Sequence, residues 1–313
     1  MKALICGISG QDGSYLAELL LGKSYEVWGT SRDAEASSFA NLCALGIEKK
    51  IKLVSMAPND FRSVLSAVTR SDPDEIYYLS GQSSVGLSFD QPAETLESIV
   101  SGVLNLLETI RLRNKVVKFY NAGSSECFGD TGTTPANELT PFIPRSPYAV
   151  AKASAHWLVA NYRESYNLYA CSGILFNHES PLRPKRFVTQ KIIQSAKRIS
   201  QGSDERLTLG RIDIVRDWGW APEYVVAMWK MLQQDTPEDF VIATGNSQSL
   251  EEFVAAAFAY FKLDWKSYVD ISPTFFRPTD IARSKGDPSK AMRQLGWKAH
   301  FELADIVKMM LLA

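Results

Sequence analysis

The sequence predicts a protein of the α/β class, built on a doubly wound parallel sheet with a smaller α/β substrate-binding unit that caps the carboxyl edge of the sheet. Up to about residue 175, short apolar runs alternate with longer helical stretches. Runs that are buried on both faces and separated by helices indicate parallel strands. Beyond residue 175, shorter strands and helices mix. We therefore expect one domain over residues 1–175, to which some later segments return, and a second mainly over residues 176–313.

The elements follow from local composition and periodicity. Strands of the first domain are predicted at residues 3–6, 26–29, 52–55, 75–79, 116–121 and 169–175, with helices at 13–21, 60–70, 95–113 and 148–166. In the second half, strands are predicted at 207–209 and 240–243, and helices at 188–199, 222–232, 250–261 and 288–295. The helices at 95–113 and 148–166 carry apolar residues on more than one face, which fits burial against either a second subunit or the sheet.

Composition narrows the class of protein. Among 313 residues, 34 Lys and Arg nearly balance 35 Asp and Glu, so no basic surface for nucleic acid is indicated. No apolar run approaches the length of a membrane helix or signal peptide. The four cysteines are scattered, without the spacing of a metal site or a disulfide framework. We expect a cytoplasmic protein with reduced thiols, no metal, and no membrane or nucleic-acid partner.

A glycine-rich turn follows the first predicted strand and opens the first predicted helix. Its residues are Gly7-Ile8-Ser9-Gly10-Gln11-Asp12-Gly13. This spacing lets the backbone turn tightly and approach a pyrophosphate at the positive end of the helix. The motif predicts a Rossmann-type dinucleotide site, the alternative being a plain tight turn between strand and helix.

The residues after the second strand bear on which dinucleotide is bound. A carboxylate at the strand tip usually binds the ribose hydroxyls of NAD, but here Ser31 occupies that position and Arg32 follows it. A hydroxyl and a guanidinium suit the 2′-phosphate of NADP, which is therefore favoured over NAD. Asp33 weakens the argument, and Arg32 could also be a solvated loop charge.

Tyr148 and Lys152 are four residues apart on a predicted helix, so they share one face. A nearby ammonium and a positive nicotinamide ring would lower the pKa of the phenol, which could then take a proton from a sugar hydroxyl. Such pairs also occur by chance. Here, however, Ser124 and Glu126 follow a predicted strand, where ligands bind in open α/β sheets. Glu126 suggests removal of a proton next to a new ketone, unless it merely caps a backbone turn.

These residues lie within motifs that resemble the GDP-mannose 4,6-dehydratases, a branch of the extended short-chain dehydrogenases. The similar segments span nearly the whole chain: NAGSSECFG at 121–129, PRSPYAVAK at 144–152, GILFNHESP at 173–181, RFVT at 186–189, RDWG at 216–219, VIATG at 241–245 and RPT at 277–279. The NHESP and RDWG motifs are specific to this branch, whereas the glycines and the Tyr–Lys pair are common to the superfamily.

The resemblance implies a role for each matching residue. Expected catalytic residues are Ser124, Ser125, Glu126, Tyr148 and Lys152. Expected cofactor contacts are Gly7, Gly10, Gln11, Asp12, Gly13, Arg32, Leu79, Gln82, Tyr148, Lys152, Leu175, Asn177, His178 and Arg183. Expected substrate contacts are Ser83, Asn177, Lys185, Val188, Lys191, Arg211, Arg216 and Arg277, with Asn177 and Arg216 at the diphosphate and Val188 at the guanine. Some of these cations could instead be solvated surface charges.

The chain also departs from the family pattern. Arg32-Asp33 replaces paired arginines, so a homodimer is expected more than a tetramer. Arg211 stands at a usual Asn, Val215 at a basic residue and Trp220 at a His. Because these changes fall near the expected substrate pocket, a related GDP-sugar such as a GDP-heptose stays open beside GDP-mannose.

The resemblance therefore implies an NADP-dependent lyase of deoxyhexose biosynthesis. It would convert GDP-mannose to GDP-4-keto-6-deoxy-mannose by internal hydride transfer, with Tyr148 acting at C4, and Glu126 with Ser125 moving the protons lost from C5 and gained by the leaving hydroxyl at C6. Two alternatives remain: a reductase or epimerase of the same fold, and a non-catalytic dinucleotide-sensing protein. Glu126 disfavours the reductase, and the presence of both Tyr148 and Lys152 disfavours the sensor.

Overall fold

A computed structural model describes residues 1–113 and 115–313. The strands are Lys2–Cys6 (β1), Glu26–Ser31 (β2), Lys52–Ser55 (β3), Glu75–Tyr78 (β4), Lys118–Ala122 (β5), Ala170–Leu175 (β6), Asn177–Glu179 (β7), Leu207–Leu209 (β8), Val215–Trp220 (β9), Phe240–Ile242 (β10), Ser247–Ser249 (β11), Val269–Ile271 (β12) and Arg283–Ser284 (β13). The α-helices are Gln11–Gly22 (α1), Ala40–Ala44 (α2), Phe61–Ser71 (α3), Val85–Asp90 (α4), Pro92–Leu96 (α5), Gly102–Arg111 (α6), Pro147–Tyr166 (α7), Val188–Ser200 (α8), Ala221–Leu232 (α9), Leu250–Ala259 (α10) and Leu303–Leu312 (α11). Short 3₁₀ turns lie at Glu48–Lys50, Ser125–Phe128, Trp265–Ser267 and Pro273–Phe275, and π-helical turns at Glu97–Ser101 and Ala291–Leu295.

Seven parallel strands form the central sheet, in the order β10-β6-β5-β4-β1-β2-β3. The chain winds outward from β1 in one direction through β2 and β3, then returns to β4 and winds in the other. The strand order therefore reverses between β1 and β4, and a crevice opens there at the carboxyl edge. The predicted α/β fold with a doubly wound parallel sheet is confirmed. Strand β10, from the second half of the chain, completes this sheet beside β6.

Helices cover both faces of the sheet, so its inner strands are buried, whereas the edge strand β3 is largely exposed. One face packs against α1 and α9, through residues such as Leu16 and Met228. The other packs against α3, α6 and α7, through residues such as Val64, Leu106 and Val159. The absence of polar alternation in β1, β4 and β6 reflects this burial.

The second half of the chain builds a smaller unit over the carboxyl edge. Strand β9 pairs with β7, β11 and β13, while β8 pairs with β12. Helices α8, α10 and α11 bury a separate apolar core around Ile193, Phe253 and Ile306. Strand β7 follows β6 after a single residue, so the central sheet leads directly into the smaller unit.

The sequence missed several elements of this smaller unit. Helix α11 and strands β7, β9, β11, β12 and β13 were not predicted. These strands have only two to six residues and pair with partners distant in sequence, so their local pattern is weak. The single helix predicted at 95–113 is instead α5 and α6 joined by a π-helical turn, and the helix predicted at 288–295 is largely a π-helical turn.

Among the described residues, none of the helices combines the length and apolar character needed to cross a membrane.

Candidate active site

A cavity of about 460 Å³ lies between the carboxyl edge of the central sheet and the smaller unit. Its size is in the range of small-molecule sites. Residues that follow β4, β5 and β6 form its floor, namely Leu79, Ser124 and Asn177. Residues of α8, β8, β9 and the 275–280 segment form the opposite wall. The cavity thus occupies the crevice that the reversal in strand order creates.

The glycine-rich turn at one end of this crevice has the geometry of a pyrophosphate cradle. Gly7 has φ +87°, a conformation that other residues rarely adopt. A Cβ on Gly13 would lie 2.4 Å from the carbonyl oxygen of Gly7, so only glycine lets α1 pack this closely on the turn. Gly10 is the exposed N-cap of α1 and offers no side-chain cap. The first amides of α1 are therefore available to an anion.

Ser124, Glu126 and Tyr148 converge on the cavity from separate segments. Ser124 follows β5 and caps the 3₁₀ turn at Ser125–Phe128, since its Oγ accepts a hydrogen bond from the N–H of Glu126 at 3.3 Å. Glu126 lines the cavity, and its negative charge acts on both Tyr148 and Arg216. Ser146 caps α7 by accepting from the N–H of Ala149, at 3.1 Å, which places Tyr148 in the first turn.

Burial shifts the pKa values of both Tyr148 and Lys152. Burial raises the pKa of Tyr148, opposed by a hydrogen bond with Ser124 and reinforced by the nearby Cys127 and Glu126. In the polypeptide alone, burial has the largest effect on this pKa. The lowering expected from Lys152 together with a bound nicotinamide ring stays a prediction. The Lys152 Nζ lies 5.8 Å from the Tyr148 ring centre and donates to the carbonyl oxygen of Ala122 at 2.7 Å. Burial also lowers the pKa of Lys152 to about 8.

The start of α1 is joined to β7 by a buried hydrogen-bond network. The Gln11 amide donates to Asp12 and to the carbonyl of His178, and its oxygen accepts from the Ser180 hydroxyl. The Gln11 side chain is thus engaged inside the protein, and the expected contact of Gln11 with the cofactor, which would be made by its backbone, stays a prediction. Asp12 and His178 line the cavity and bind each other at 2.9 Å.

The opposite wall of the cavity is rich in cations. Arg216, Arg277 and Lys191 line it together with Val188. Arg216 is only 5% exposed, and burial lowers its pKa. Arg211 also lines the cavity, but its guanidinium is paired with Asp213 at 2.6 and 2.9 Å.

The cavity collects most of the predicted site residues. Those that line it are Asp12, Leu79, Ser83, Ser124, Ser125, Glu126, Tyr148, Lys152, Leu175, Asn177, His178, Arg183, Val188, Lys191, Arg211, Arg216 and Arg277. Gly7, Gly10, Gln11 and Gly13 lie in the adjoining turn and at the start of α1. Three others lie apart from the cavity lining: Arg32 is exposed near Glu94, at 3.7 Å; Lys185 is exposed; and Gln82 donates its amide to Ser84 and Thr95.

Sequence reasoning missed several residues of the lining. Phe275 and Asp280 flank the RPT motif and face the cavity with Arg277. The aromatic pair before this motif and the carboxylate after it were the available signals. Glu179 also lines the cavity; it is buried and accepts a hydrogen bond from the Thr189 hydroxyl at 2.7 Å. The sequence shows that NHESP contains the acid Glu179, but not that Thr189 of α8 is its hydrogen-bond partner.

Comparison with known proteins agrees with this architecture. A sequence profile described as GDP-mannose 4,6 dehydratase matches residues 4–310. The chain belongs to this family. GDP-mannose 4,6 dehydratase 1 of Arabidopsis thaliana is 46% identical, over 98% of this chain and 88% of that protein. GDP-mannose 4,6-dehydratase of Vibrio cholerae is 44% identical, over 95% of this chain and 89% of that protein.

A solved structure shares the fold of this chain. The dTDP-glucose 4,6-dehydratase of Bacillus anthracis, in complex with NAD, superposes with a TM-score of 0.87, covering 100% of this chain and 96% of that chain at 18% identity. At this identity the match bears on the fold alone. The family resemblance predicted from the NHESP, RDWG and Tyr–Lys motifs is confirmed.

Proposed function

We propose that this chain is a hydro-lyase that converts GDP-mannose to GDP-4-keto-6-deoxy-mannose, with NADP as a bound cofactor that undergoes no net change. The observation that carries the proposal is the meeting of Ser124, Glu126 and Tyr148 in one cavity whose far wall is cationic. A carboxylate beside the Ser–Tyr pair is the feature that an oxidoreductase of this fold does not need. Family membership supports the same reaction.

The residues present fit a nicotinamide dinucleotide. The glycine turn and the amides of α1 would hold its pyrophosphate, and Lys152, buried beside Tyr148, would hold the nicotinamide ribose. When bound, the cofactor supplies a hydride acceptor for C4, a hydride donor for C6 and a positive charge near the phenol.

Three features beyond β2 favour NADP. Ser31 ends the strand, and its hydroxyl lies 2.7 Å from that of Ser37. One carboxylate oxygen of Asp33 accepts hydrogen bonds from the backbone N–H groups of Glu35 and Ala36, at 2.9 and 3.0 Å, and is therefore engaged within its own loop. Arg32 is exposed and has a single distant carboxylate neighbour, so it can turn to a phosphate.

Tyr148 would act at C4 of the hexose. Its phenolate accepts the proton of the C4 hydroxyl while the Ser124 hydroxyl holds the same oxygen. The group must lose its own proton first. The Lys152 ammonium and the positive ring of the bound cofactor lower the pKa that burial raises in the protein alone.

Glu126 would act at C5 and C6. A ketone at C4 acidifies the C5 proton, which the Glu126 carboxylate accepts. The same proton then goes to the C6 hydroxyl, which leaves as water, with Ser125 available as a relay. The return of hydride to C6 would leave C5 in need of a proton. The proton that Tyr148 accepts from the C4 hydroxyl balances this need, so the overall reaction releases only water.

The first experiment follows GDP-mannose by mass spectrometry, with no added reductant. We expect a product lighter by one water and no net change in NADPH absorbance. Glu126→Gln should lower the rate of water loss by about 10²–10⁴-fold, the range for general acid–base groups. Glu164→Gln, an exposed carboxylate on α7, is the control. Full dehydration by the Glu126 variant would contradict the assigned role.

The same assay distinguishes the alternative functions. A reductase would consume NADPH on a 4-keto sugar nucleotide, an epimerase would give a product of unchanged mass, and a sensor would bind nucleotide without turnover. Parallel reactions with UDP-, dTDP- and CDP-sugars and with a GDP-heptose would identify the base and sugar. Turnover of one of these in place of GDP-mannose would contradict the proposed substrate.

Cofactor choice is tested by the dissociation constants of NADP⁺ and NAD⁺. Arg32→Ala should weaken NADP⁺ binding by about tenfold, the value of one charge-assisted hydrogen bond, and leave NAD⁺ within about twofold. Arg62→Ala, an exposed arginine of α3, is the matched control. Equal effects on both dinucleotides would contradict a 2′-phosphate contact.

We also propose a homodimer in the cytoplasm. Leu104 of α6, with Val150 and Trp157 of α7, forms an exposed apolar face, and Trp157 is 62% exposed. Two such helix pairs could pack as a four-helix bundle. Trp157→Glu should shift the mass measured by light scattering from dimer to monomer. A monomeric wild-type protein would contradict the proposed dimer.

All four cysteines are free, which supports the proposed cytoplasmic location because the cytoplasm is a reducing compartment.

A further inference from the structure

The contact between Asp12 and His178 requires a shared proton. His178 Nδ1 lies 2.7 Å from the carbonyl oxygen of Phe176, which can only accept, so Nδ1 carries a hydrogen. His178 Nε2 lies 2.9 Å from Asp12 Oδ2. A neutral imidazole protonated on Nδ1 would point a lone pair at a carboxylate, which is repulsive. One proton must therefore lie between the two side chains.

The surroundings favour the ionised pair. Burial acts to raise the pKa of Asp12, but the His178 charge, the hydrogen bonds from His178 and Gln11, and Arg183 outweigh it and hold the pKa at about 2. Burial acts to lower the pKa of His178, and Asp12 reverses this, giving a pKa above the usual value. The groups that face His178 are Asp12 of α1, Arg183 after β7, and Tyr224 of α9, whose ring is stacked 4.5 Å away.

Asp12 stands where an uncompensated negative charge would be costly for the cofactor. It is the second residue of α1, in the turn whose free amides would bind a pyrophosphate. A bare carboxylate in this turn would repel a phosphate group. Its oxygens are instead engaged by Gln11 at 3.0 Å and His178 at 2.9 Å.

We propose that Asp12 and His178 are positioning residues that share one proton, and that this pair both joins the cofactor helix to β7 and cancels the negative charge of Asp12 at the pyrophosphate site. The pair also fixes the strand that presents Asn177 to the cavity. This inference rests on the proposed location of the cofactor. The protonation state of the pair is nevertheless a property of the protein itself.

Histidine ¹⁵N spectra test the shared proton without any ligand. The chain has three histidines, so each signal can be assigned by substitution. At about pH 8, well above the usual histidine pKa of ~6.5, His178 should show two protonated nitrogens. In Asp12→Asn, His178 should change to the neutral form protonated on Nδ1. A neutral His178 in the wild-type protein at this pH would overturn the proposal unless the proton resides on Asp12, which carboxyl ¹³C shifts would show.

A double-mutant cycle on NADP⁺ affinity tests the effect of the charge. His178→Gln leaves Asp12 without its cation and should weaken NADP⁺ binding by about tenfold or more, because a like charge then faces the phosphates. Asp12→Asn with His178→Gln should restore the affinity to within about threefold of wild type. A merely structural contact would not be rescued by removing the second partner, so failure of rescue would overturn the proposal.

The chain provides a matched control for this cycle. His300 is an exposed histidine whose Nδ1 lies 3.0 Å from Glu223, outside the cavity. His300→Gln should leave NADP⁺ affinity unchanged. If His178→Gln does not fold, Asp12→Asn and the spectra still test the shared proton. If wild-type protein fails to bind NADP⁺, the proposed cofactor site fails, while the spectra still report on the pair.

Discussion

The two walls of the cavity differ in burial and in how their polar groups are used. On the sheet side, Ser124, Tyr148 and Lys152 are each less than 10% exposed and stand at a strand end or in the first turns of α7. On the side of the smaller unit, Lys191 and Arg277 are exposed, and Arg277 lies on a segment without regular structure. Arg216, on β9, is the buried exception.

This difference follows from what each wall must do. Groups that move protons work best when they are preorganised and shielded from water, so rigid element ends suit them. Cations that recognise a charged ligand can stay hydrated until it arrives, and loops tolerate that exposure. Substitutions on the sheet side should therefore change kcat, and those on the opposite side should change KM.

The largest expected effect is on the sheet side. Tyr148→Phe removes the proposed proton acceptor and keeps the ring, so kcat should fall by about 10²–10⁴-fold while KM stays within about threefold. Initial rates with GDP-mannose measure this. Tyr166→Phe, at the far end of the same helix, is the control. A larger change in KM than in kcat would contradict the expected difference between the two walls.

Arg216 tests the opposite wall at its buried point. Arg216→Gln should raise KM by about 10–100-fold with little change in kcat, because a charge-assisted bond to the diphosphate is lost. Arg206→Gln removes an arginine paired with Asp270 outside the cavity, and its KM should match that of wild type. If kcat fell instead, Arg216 would belong with the catalytic wall.

The pH dependence of kcat tests the role of Lys152 on the sheet side of the cavity. Burial lowers the pKa of Lys152 to about 8, so the ammonium that supports the Tyr148 phenolate is lost as pH rises through this value. The expected result is an alkaline fall in kcat that approaches about tenfold per pH unit. Lys152→Met should be slow and should lack this alkaline fall; its rate should instead rise with pH as the Tyr148 phenol ionises. A flat wild-type profile would contradict a role for the ammonium.

The smallest effect is expected at Arg211. Its guanidinium is already paired with Asp213 and partly solvated, so Arg211→Ala should raise KM by no more than about threefold. Asp213→Ala frees the arginine and should lower KM if Arg211 can reach the substrate. A tenfold rise in Arg211→Ala would show that the pair opens on binding, and that exposed cations on this wall matter as much as Arg216.

The sequence predicted which segments meet at the cavity better than it predicted what their side chains bind. Ser124 and Tyr148 could be placed because a strand end and a helix start are local features with clear signals. The side-chain amides of Gln11 and Gln82 bond to Ser180 and to Thr95 on other segments, which no local pattern reveals. Phe275 was missed because its segment enters the site only through the pairing of β12 with β8.

The amino-acid sequence by itself determined the doubly wound sheet, the glycine turn and the family, because burial on both strand faces, turn conformation and short motifs are read from neighbouring residues. Only the tertiary structure decided which polar side chains face the cavity and which form hydrogen bonds to other groups inside the protein. The proton shared by Asp12 and His178, 166 positions apart, is of that second kind. Hydrogen bonds and desolvation depend on distance in space, and the chain sets that distance only once it has folded.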